Sequence, residues 1–149
     1  MLILFCISCF LLIYSYGLYP ALLCILNHFV KQHKVVNDAI PSFSILMAVY
    51  NEEKVIEEKL NSIFKQKHLL PSFEILVGSD ASSDNTNHII QKFATEHSEI
   101  KLKVFEQRTG KPEIINQLVD NANFEILILT DANVLLQENA IQNLLKAFQ

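Results

Sequence analysis

The sequence predicts an α/β fold, a parallel sheet with helices on both faces, preceded by one transmembrane helix. Short apolar runs alternate with amphipathic helical patterns after residue 42, which is typical of successive βα units. Two of these runs share the pattern Phe-Glu-Ile-Leu and end on a hydroxyl residue followed by Asp80 or Asp131. Because ligands of open α/β sheets bind outside the carboxyl ends of the strands, these two carboxylates predict a site there.

The amino-terminal segment is apolar. Residues 2–30 contain no Asp, Glu, Lys or Arg, and about 20 apolar residues suffice to span a bilayer. We therefore predict a transmembrane helix at 2–28 and a polar juxtamembrane linker at 29–42. Lys31 and Lys34 follow the helix, so the positive-inside rule predicts that the chain after residue 30 faces the cytoplasm. The alternative is a cleaved signal peptide, which has a basic start and a shorter apolar region of about 7 to 15 residues.

Two βα units follow the linker. Apolar residues recur at helical spacing after each strand, while Lys59 falls on the charged face of the first helix together with Glu57, Glu58 and Lys65. Asn51 is expected to cap the first helix, and Ser82 or Ser83 the second. The predicted elements are a strand over 43–49, a helix over 52–67, a strand over 73–79 and a helix over 84–97.

Two further units complete the predicted sheet. The short alternating strand at 101–105 is expected nearer an edge than the centre. Pro112 is favoured at the first position of a helix, so the third helix is expected to begin there. A fourth strand at 124–129 and a last helix at 138–148 follow.

Composition narrows the ligand class. The chain has only three glycines, which excludes the glycine-rich phosphate loops of dinucleotide-binding and P-loop proteins. The net charge of -4 lies after residue 30 and lacks a basic nucleic-acid footprint, so we expect no nucleic-acid partner. A nucleotide is the default ligand of such a sheet, so its phosphates must be held in another way. A helix N-terminus carries only about +0.5 charge, which is too little to neutralise a diphosphate, so a divalent metal is expected. Asp131 and Asn133 offer a carboxylate and an amide oxygen suited to Mg²⁺ or Mn²⁺.

Four motifs follow the predicted strands in order. They are Tyr50-Asn51-Glu52-Glu53, Ser79-Asp80-Ala81-Ser82-Ser83-Asp84-Asn85-Thr86, Arg108-Thr109-Gly110-Lys111-Pro112 with Asn116, and Thr130-Asp131-Ala132-Asn133. Together they resemble the donor-binding half of a family 2 glycosyltransferase. The resemblance covers residues 43–149 and implies a GT-A fold, a Rossmann-like sheet that binds a nucleoside diphosphate sugar and is incomplete here. Membrane-attached members of the family also carry an apolar helix before this domain.

The resemblance implies a role for each matching residue. Tyr50, Asn51 and Glu52 are expected to line the nucleoside pocket, and Asp80 to contact the base. Both acidic residues also have a purely structural explanation. Asp80 could be a turn or capping residue, and Glu52 could be an acid of the first helical turn.

The resemblance also implies which residues lie near the phosphates of the donor. The resemblance places Arg108 and Lys111 near the base and phosphates, although Lys111 can also be a solvated loop charge. Asp131 and Asn133 stand where the family has the DxD carboxylates, which hold ribose or the metal that bridges the diphosphate. Two residues depart from the family pattern: Ala81 replaces a glycine, and Asn133 replaces the second carboxylate.

The resemblance implies an inverting, metal-dependent transfer of a sugar from a nucleotide donor, expected to be a UDP-sugar, to a saccharide or lipid-linked acceptor. No residue here occupies the motif position of the catalytic base, so the base is expected beyond residue 149 and 43–149 is expected to be a truncated donor-binding part. The alternatives are a membrane-anchored fragment or nucleotide-binding module without catalysis, and a metal-dependent nucleotidyltransferase.

Overall fold

A computed structural model describes residues 1–29 and 41–147. The chain divides into two compact units, Met1–Val36 and Asn37–Gln149. Most of the predicted linker at 29–42, including Lys31 and Lys34, lies outside the described residues, as does Phe148 at the end of the last predicted helix.

The first unit is a helix with an internal irregularity. Helix α1, Leu2–Ile13, continues through a π-helical turn, Tyr14–Leu18, into helix α2, Tyr19–Phe29. Pro20 lacks an N–H and its ring clashes with the carbonyl four residues before it, which explains the widened turn. Residues Leu2–Leu26 have a mean hydropathy of 2.1 and are long enough to cross a membrane. A signal sequence passes the same test, so the membrane span stays a prediction.

The second unit contains a four-stranded parallel sheet in the order β3-β2-β1-β4. Phe43 pairs in register with Phe73 on one side and with Ile126 on the other. The predicted parallel sheet is therefore confirmed, and the strand at Ile100 lies at an edge as expected. The strands are β1 Phe43–Val49, β2 Phe73–Asp80, β3 Ile100–Phe105 and β4 Ile126–Leu129.

Helices cover both faces of this sheet. Alternate residues of β1, such as Ile45 and Met47, are fully buried in a core shared with helices α3, Ile56–Phe64, α4, Thr86–Glu96, and α6, Ala140–Ala147. The intervening residue Leu46 packs instead with Leu76 of β2 against helix α5. Helix α5 comprises Lys111–Val119.

The contact between β2 and α5 requires a glycine. A Cβ atom at Gly78 would lie 2.3 Å from Cγ2 of Ile114, well inside van der Waals contact. The side chains of Leu118 and Phe105 crowd the same point at 3.5 Å. Gly78 therefore sets how closely α5 approaches the sheet, and it holds the start of that helix beside the strand ends.

The buried carboxylate of Glu74 joins neighbouring strands near the amino-terminal end of the sheet. Glu74 is 4% exposed and accepts hydrogen bonds from Ser44 Oγ (2.7 Å), Lys101 Nζ (2.8 Å), and the backbone N–H and side-chain amide of Asn123 (2.6 and 2.7 Å). Burial raises the pKa of Glu74, but these four donors outweigh it and lower the pKa to about 2. Glu125, its counterpart in the second Phe-Glu-Ile-Leu segment, is exposed. The two similar segments therefore differ in their packing.

Two helices begin later than predicted. The predicted helix over 52–67 begins only at Ile56, because the backbone of Val55 (φ -124°, ψ -21°) is not helical. In the turn before it, the N–H groups of Glu52 and Glu53 donate to Thr86 Oγ1 (2.8 Å) and Asp84 Oδ2 (3.1 Å). The predicted helix over 84–97 begins at Thr86, whose N–H donates to Asp84 Oδ1 (3.0 Å). The predicted caps are wrong: neither helix has a side-chain cap from Asn51, Ser82 or Ser83.

The remaining boundaries shift by small amounts. Helix α3 ends at Phe64 and is followed by a 3₁₀ turn, Lys67–Leu69, where the prediction continued the helix. Helix α5 begins at Lys111, one residue before Pro112, and β4 begins at Ile126 rather than Phe124.

Candidate functional site

The sheet topology creates a crevice at one point. Strands β2 and β3 lie successively on one side of β1, whereas β4 lies on the other, so the chain direction across the sheet reverses between β1 and β4. Ligands of open α/β sheets bind outside the strand ends at such a switch point. A cavity of about 270 Å³ opens there. Seven of the eight predicted site residues line it: Tyr50, Glu52, Asp80, Arg108, Lys111, Asp131 and Asn133.

Asn51 is the predicted site residue that does not line this cavity. Its backbone adopts a left-handed conformation with φ of 53°, which asparagine tolerates. Its N–H donates to Ser82 Oγ (3.1 Å), and its side-chain oxygen accepts from the N–H of Ser83 (2.9 Å). Asn51 thus joins the turn after β1 to the loop after β2. Its contact with a nucleoside stays a prediction.

Asp80 holds the loop that follows β3. This carboxylate at the end of β2 is 4% exposed and accepts from the N–H groups of Thr109 (2.6 Å) and Gly110 (3.2 Å) and from Arg108 Nε (3.0 Å). Burial raises the pKa of Asp80, but these donors outweigh it and hold the pKa below its ordinary value. Gly110 has φ of 89°, a conformation that a side chain would disfavour. Asp80 is therefore ionised and fixes the 108–110 loop.

Arg108 and Tyr50 form a flat wall at one end of the cavity. The guanidinium carbon of Arg108 lies 3.6 Å from the centroid of the Tyr50 ring. Both side chains are substantially exposed, at 57% for the Arg108 side chain and 42% for Tyr50. A guanidinium plane and an aromatic ring are the surfaces on which nucleic-acid bases stack in proteins. This wall is suited to a planar, aromatic ligand group.

A lysine and an aspartate lie at the other end. Lys111 at the start of α5 forms an ion pair with Asp131, which follows β4, and both side chains are more than half exposed. Between Asp131 and Asn133, Ala132 is 3% exposed and packs in the core. The buried alanine anchors the turn and leaves its two polar neighbours facing solvent. This end of the cavity offers a cation and oxygen ligands side by side.

Asp131 and Asn133 could bind a hard divalent cation only if phosphate and water oxygens completed its coordination. Across residues 1–29 and 41–147, no group of three or more Asp, Glu, His or Cys side chains is arranged to hold a metal. Mg²⁺ commonly takes one or two carboxylates and completes its shell with phosphate oxygens and water. The carboxylate of Asp131 and the amide oxygen of Asn133 match that partial set.

The prediction for Lys59, which lies near the site, is wrong. The sequence pattern predicts this residue on the charged face of its helix, yet it is fully buried. Its ammonium group donates to Thr130 Oγ1 (2.7 Å) and to the carbonyl of Val134 (2.6 Å). Burial lowers the pKa of Lys59 to about 8, opposed in part by the attraction of Asp131. The spacing contained the signal, because Lys59 lies three residues after Ile56 and therefore on its apolar face.

Comparison with known proteins identifies the family. Residues 44–149 match the family model for Glycosyl transferase family 2. A curated relative, the poly-beta-1,6-N-acetyl-D-glucosamine synthase of Staphylococcus epidermidis, is 30% identical over 107 residues, which are 72% of this chain and 25% of the relative. The chain thus spans about a quarter of that relative's length.

Solved structures agree with this assignment. Staphylococcus aureus TarS 1-349 superimposes with a TM-score of 0.63 at 30% identity, over 72% of this chain and 32% of the TarS 1-349 chain. The mannosyltransferase PcManGT from Pyrobaculum calidifontis, solved with GDP-Man and Mn²⁺, has a TM-score of 0.70 at 26% identity, over 95% of this chain and 43% of PcManGT. TarS has also been solved with UDP-GlcNAc. The GT-A type of the predicted sheet is confirmed, and the chain belongs to glycosyl transferase family 2.

Proposed function

We propose that this chain forms the donor-binding part of a glycosyltransferase that uses a UDP-sugar. The observation that carries the proposal is the cavity at the switch point, which has a stacking wall at one end and a cation beside oxygen ligands at the other. A nucleoside diphosphate has the same polarity, an aromatic base at one end and a dianionic diphosphate at the other. TarS, solved with UDP-GlcNAc, is 30% identical, whereas PcManGT, solved with GDP-Man, is 26% identical, which favours uridine.

The nucleoside end rests on three residues. In the proposal, the base stacks against Tyr50 and Arg108, and Asp80 fixes the position of Arg108 from below. A stacking contact contributes about 1–3 kcal/mol per base. Glu52 lines the same cavity, and we assign it to the nucleoside pocket as well.

The diphosphate end rests on Lys111, Asp131 and Asn133. Lys111 supplies a positive charge for the phosphates, and its ion-pair partner Asp131 would also be a ligand for a divalent cation. Asp131 and Asn133 would hold Mg²⁺ or Mn²⁺ together with diphosphate oxygens. When bound, the metal stabilises the negative charge that develops on the departing diphosphate.

The reaction that we propose for the whole enzyme is an inverting transfer. An acceptor hydroxyl of a saccharide or lipid-linked sugar attacks the anomeric carbon, the bond from that carbon to the diphosphate oxygen breaks, and the diphosphate leaves with the electron pair. The acceptor proton passes to a general base. We assign that base to no residue among 43–147. The residues of this chain hold the donor and screen the charge of the leaving group.

We further propose that the apolar helix anchors the enzyme in a membrane. The helix is long and apolar enough to span it, and Lys31 and Lys34 follow it in sequence. By the positive-inside rule the donor site then faces the cytoplasm.

A nucleotide titration tests the proposed function. The full chain in detergent micelles is titrated with UDP, GDP and ADP by calorimetry, each with and without Mn²⁺. We expect UDP with Mn²⁺ to bind at least about tenfold more tightly than GDP or ADP, and more weakly without Mn²⁺. Hydrogen exchange in the presence of UDP and Mn²⁺ should slow at residues 50–52, 108–111 and 130–133.

Absence of nucleotide binding by the folded chain would refute the proposed site. Equal binding of UDP, GDP and ADP would refute the uridine assignment alone. Exchange protection confined to other segments would place the nucleotide elsewhere.

A further inference from the structure

A row of polar side chains on helix α3 and just after its end lies along the segment that follows β4. The row consists of Lys59 and Ser62 of the helix and Gln66 beyond it, spaced three and four residues apart. Ser62 Oγ accepts from the N–H of Leu136 (3.3 Å), and Gln66 Oε1 accepts from the N–H of Ile141 (3.3 Å). The row therefore fastens the connection from β4 to α6 at successive points along its length.

Lys59 occupies the end of this row that is nearest the cavity. Its ammonium group contacts Thr130 and Val134, the residues that flank the turn containing Asp131 and Asn133. The N–H of Thr130 also donates to the carbonyl of Leu46 (3.1 Å), which ties the start of the turn to β1. The buried ammonium group of Lys59 thus contacts both ends of the turn.

The positive charge at this point is costly. Removing an ammonium group from water costs several kcal/mol unless its partners compensate. Thr130 and Val134 supply only neutral acceptors, and a neutral donor could satisfy them without that cost. The negative charge of Asp131 compensates part of that cost. A buried cation therefore contacts the two residues that flank a turn whose carboxylate lines the cavity.

We infer that Lys59 is a positioning residue that fixes the Thr130–Val134 turn, so that Asp131 and Asn133 present their oxygens together to a metal-bound diphosphate. The inference rests on the proposed function for the ligand, while the positioning of the turn can be measured without any ligand. Lys59 itself contacts neither the nucleotide nor the metal.

Three variants test the inference in the full chain in detergent micelles. Lys59→Met removes every donor at nearly the same length, and Thr130→Val removes one of the two acceptors while Lys59 stays in place. Ser62→Ala is the matched control, because it breaks a contact of the same row farther from the cavity. The measurements are calorimetric titration with UDP, with and without Mn²⁺, and hydrogen exchange of residues 130–136 without ligand.

We expect Lys59→Met to weaken UDP binding in Mn²⁺ at least about tenfold and to change metal-free UDP binding by less than about twofold. Thr130→Val should weaken binding in the same direction by a smaller factor. Without ligand, exchange of the Thr130 and Val134 amides should accelerate at least about tenfold in Lys59→Met. In Ser62→Ala only the Leu136 amide should exchange faster, and UDP binding should be unchanged.

Several results would overturn the inference. One is wild-type exchange at Thr130 and Val134 in Lys59→Met. Another is an equal loss of UDP binding with and without Mn²⁺, which is the mark of general destabilisation. If Lys59→Met does not fold, unchanged Mn²⁺-dependent binding in Thr130→Val overturns it instead. If the wild type binds no UDP, the proposed function fails, and the exchange data alone decide whether Lys59 positions the turn.

Discussion

The guanidinium of Arg108 lies over the ring of Tyr50, with the guanidinium carbon 3.6 Å from the ring centroid. The contact joins the residue after β1 to the loop after β3 across the end of β2. Asp80 holds Arg108 in this position by accepting a hydrogen bond from its Nε (3.0 Å). The stacking wall of the cavity is therefore held in place by a hydrogen bond within the chain.

Arg108→Ala should weaken UDP binding by about tenfold, because a stacked cation contributes about 1–2 kcal/mol at a partly buried site. Arg108→Lys should recover little of this loss, since an ammonium group lacks the planar face. Stability should change by less than about 1 kcal/mol, because the ion pair with Asp80 is half exposed on the arginine side. Calorimetric titration and urea unfolding provide the two measurements.

The control for Arg108 is Lys103→Ala. Lys103 is another exposed cation, and its Nζ lies 5.2 Å from the ring centroid of Phe105, but it does not line the cavity. Its removal should leave UDP binding within about twofold of the wild type. Equal losses in Arg108→Ala and Lys103→Ala would contradict a stacking role and indicate a general effect of charge.

Gly78→Ala should lower the free energy of unfolding by about 1–3 kcal/mol, because the new methyl group would overlap Cγ2 of Ile114. Urea unfolding followed by far-UV circular dichroism measures the change. In an Ile114→Ala background the same substitution should cost less, since the overlapping atom is gone. An equal cost in both backgrounds would show that the overlap is not the cause.

Ala81→Gly should raise the free energy of unfolding by about 1 kcal/mol. Ala81 has φ of 57°, a left-handed conformation that disfavours any residue with a Cβ, and glycine removes the clash. The same urea titration measures the gain. Ala122→Gly, at a position without positive φ, is the control and should not stabilise. Destabilisation by Ala81→Gly would contradict the strain at this turn.

Glu74→Gln should lower the free energy of unfolding at pH 7 by about 2 kcal/mol, because an amide cannot accept from four donors. The folded pKa of Glu74, about 2, lies below its unfolded value, so its ionised form stabilises the fold above about pH 4.5. That stability is lost as the pH falls towards 2. Urea midpoints measured between pH 7 and pH 3 should therefore fall more steeply for the wild type than for Glu74→Gln.

Glu125→Gln is the matched control, because Glu125 occupies the same place in the similar segment and is exposed. It should change stability by less than about 0.5 kcal/mol and keep the wild-type dependence on pH. An identical pH dependence in wild type and Glu74→Gln would exclude Glu74 as the titrating group.

The strands were predictable from sequence because the signal for a buried strand is local. The runs at Phe43 and Phe73 begin where predicted, and the carboxylate or hydroxyl after each strand marks the edge of the site. The strand-end pattern predicted Asp80, Asp131 and Asn133, and the family resemblance supplied Tyr50, Glu52, Arg108 and Lys111. All seven of these residues line one cavity.

The errors arose where contacts distant in sequence decide the structure. The turn before α3 donates the N–H groups of Glu52 and Glu53 to a loop about thirty residues away, a contact that no local capping rule contains. The burial of Lys59 depends on acceptors in the segment after β4, about seventy residues away. A charged residue is assigned to the surface by default, and Lys59 breaks that rule.

The most direct test of the donor site is the effect of Asp131→Asn on UDP binding in Mn²⁺. The amide keeps the size of the side chain and loses its charge, so we predict at least about tenfold weaker binding, with metal-free binding nearly unchanged. Asp120→Asn, at the exposed carboxyl end of α5, is the matched control and should bind as the wild type does. Wild-type affinity in Asp131→Asn, with Mn²⁺ present, would contradict the assignment of this cavity to a metal-bound nucleoside diphosphate.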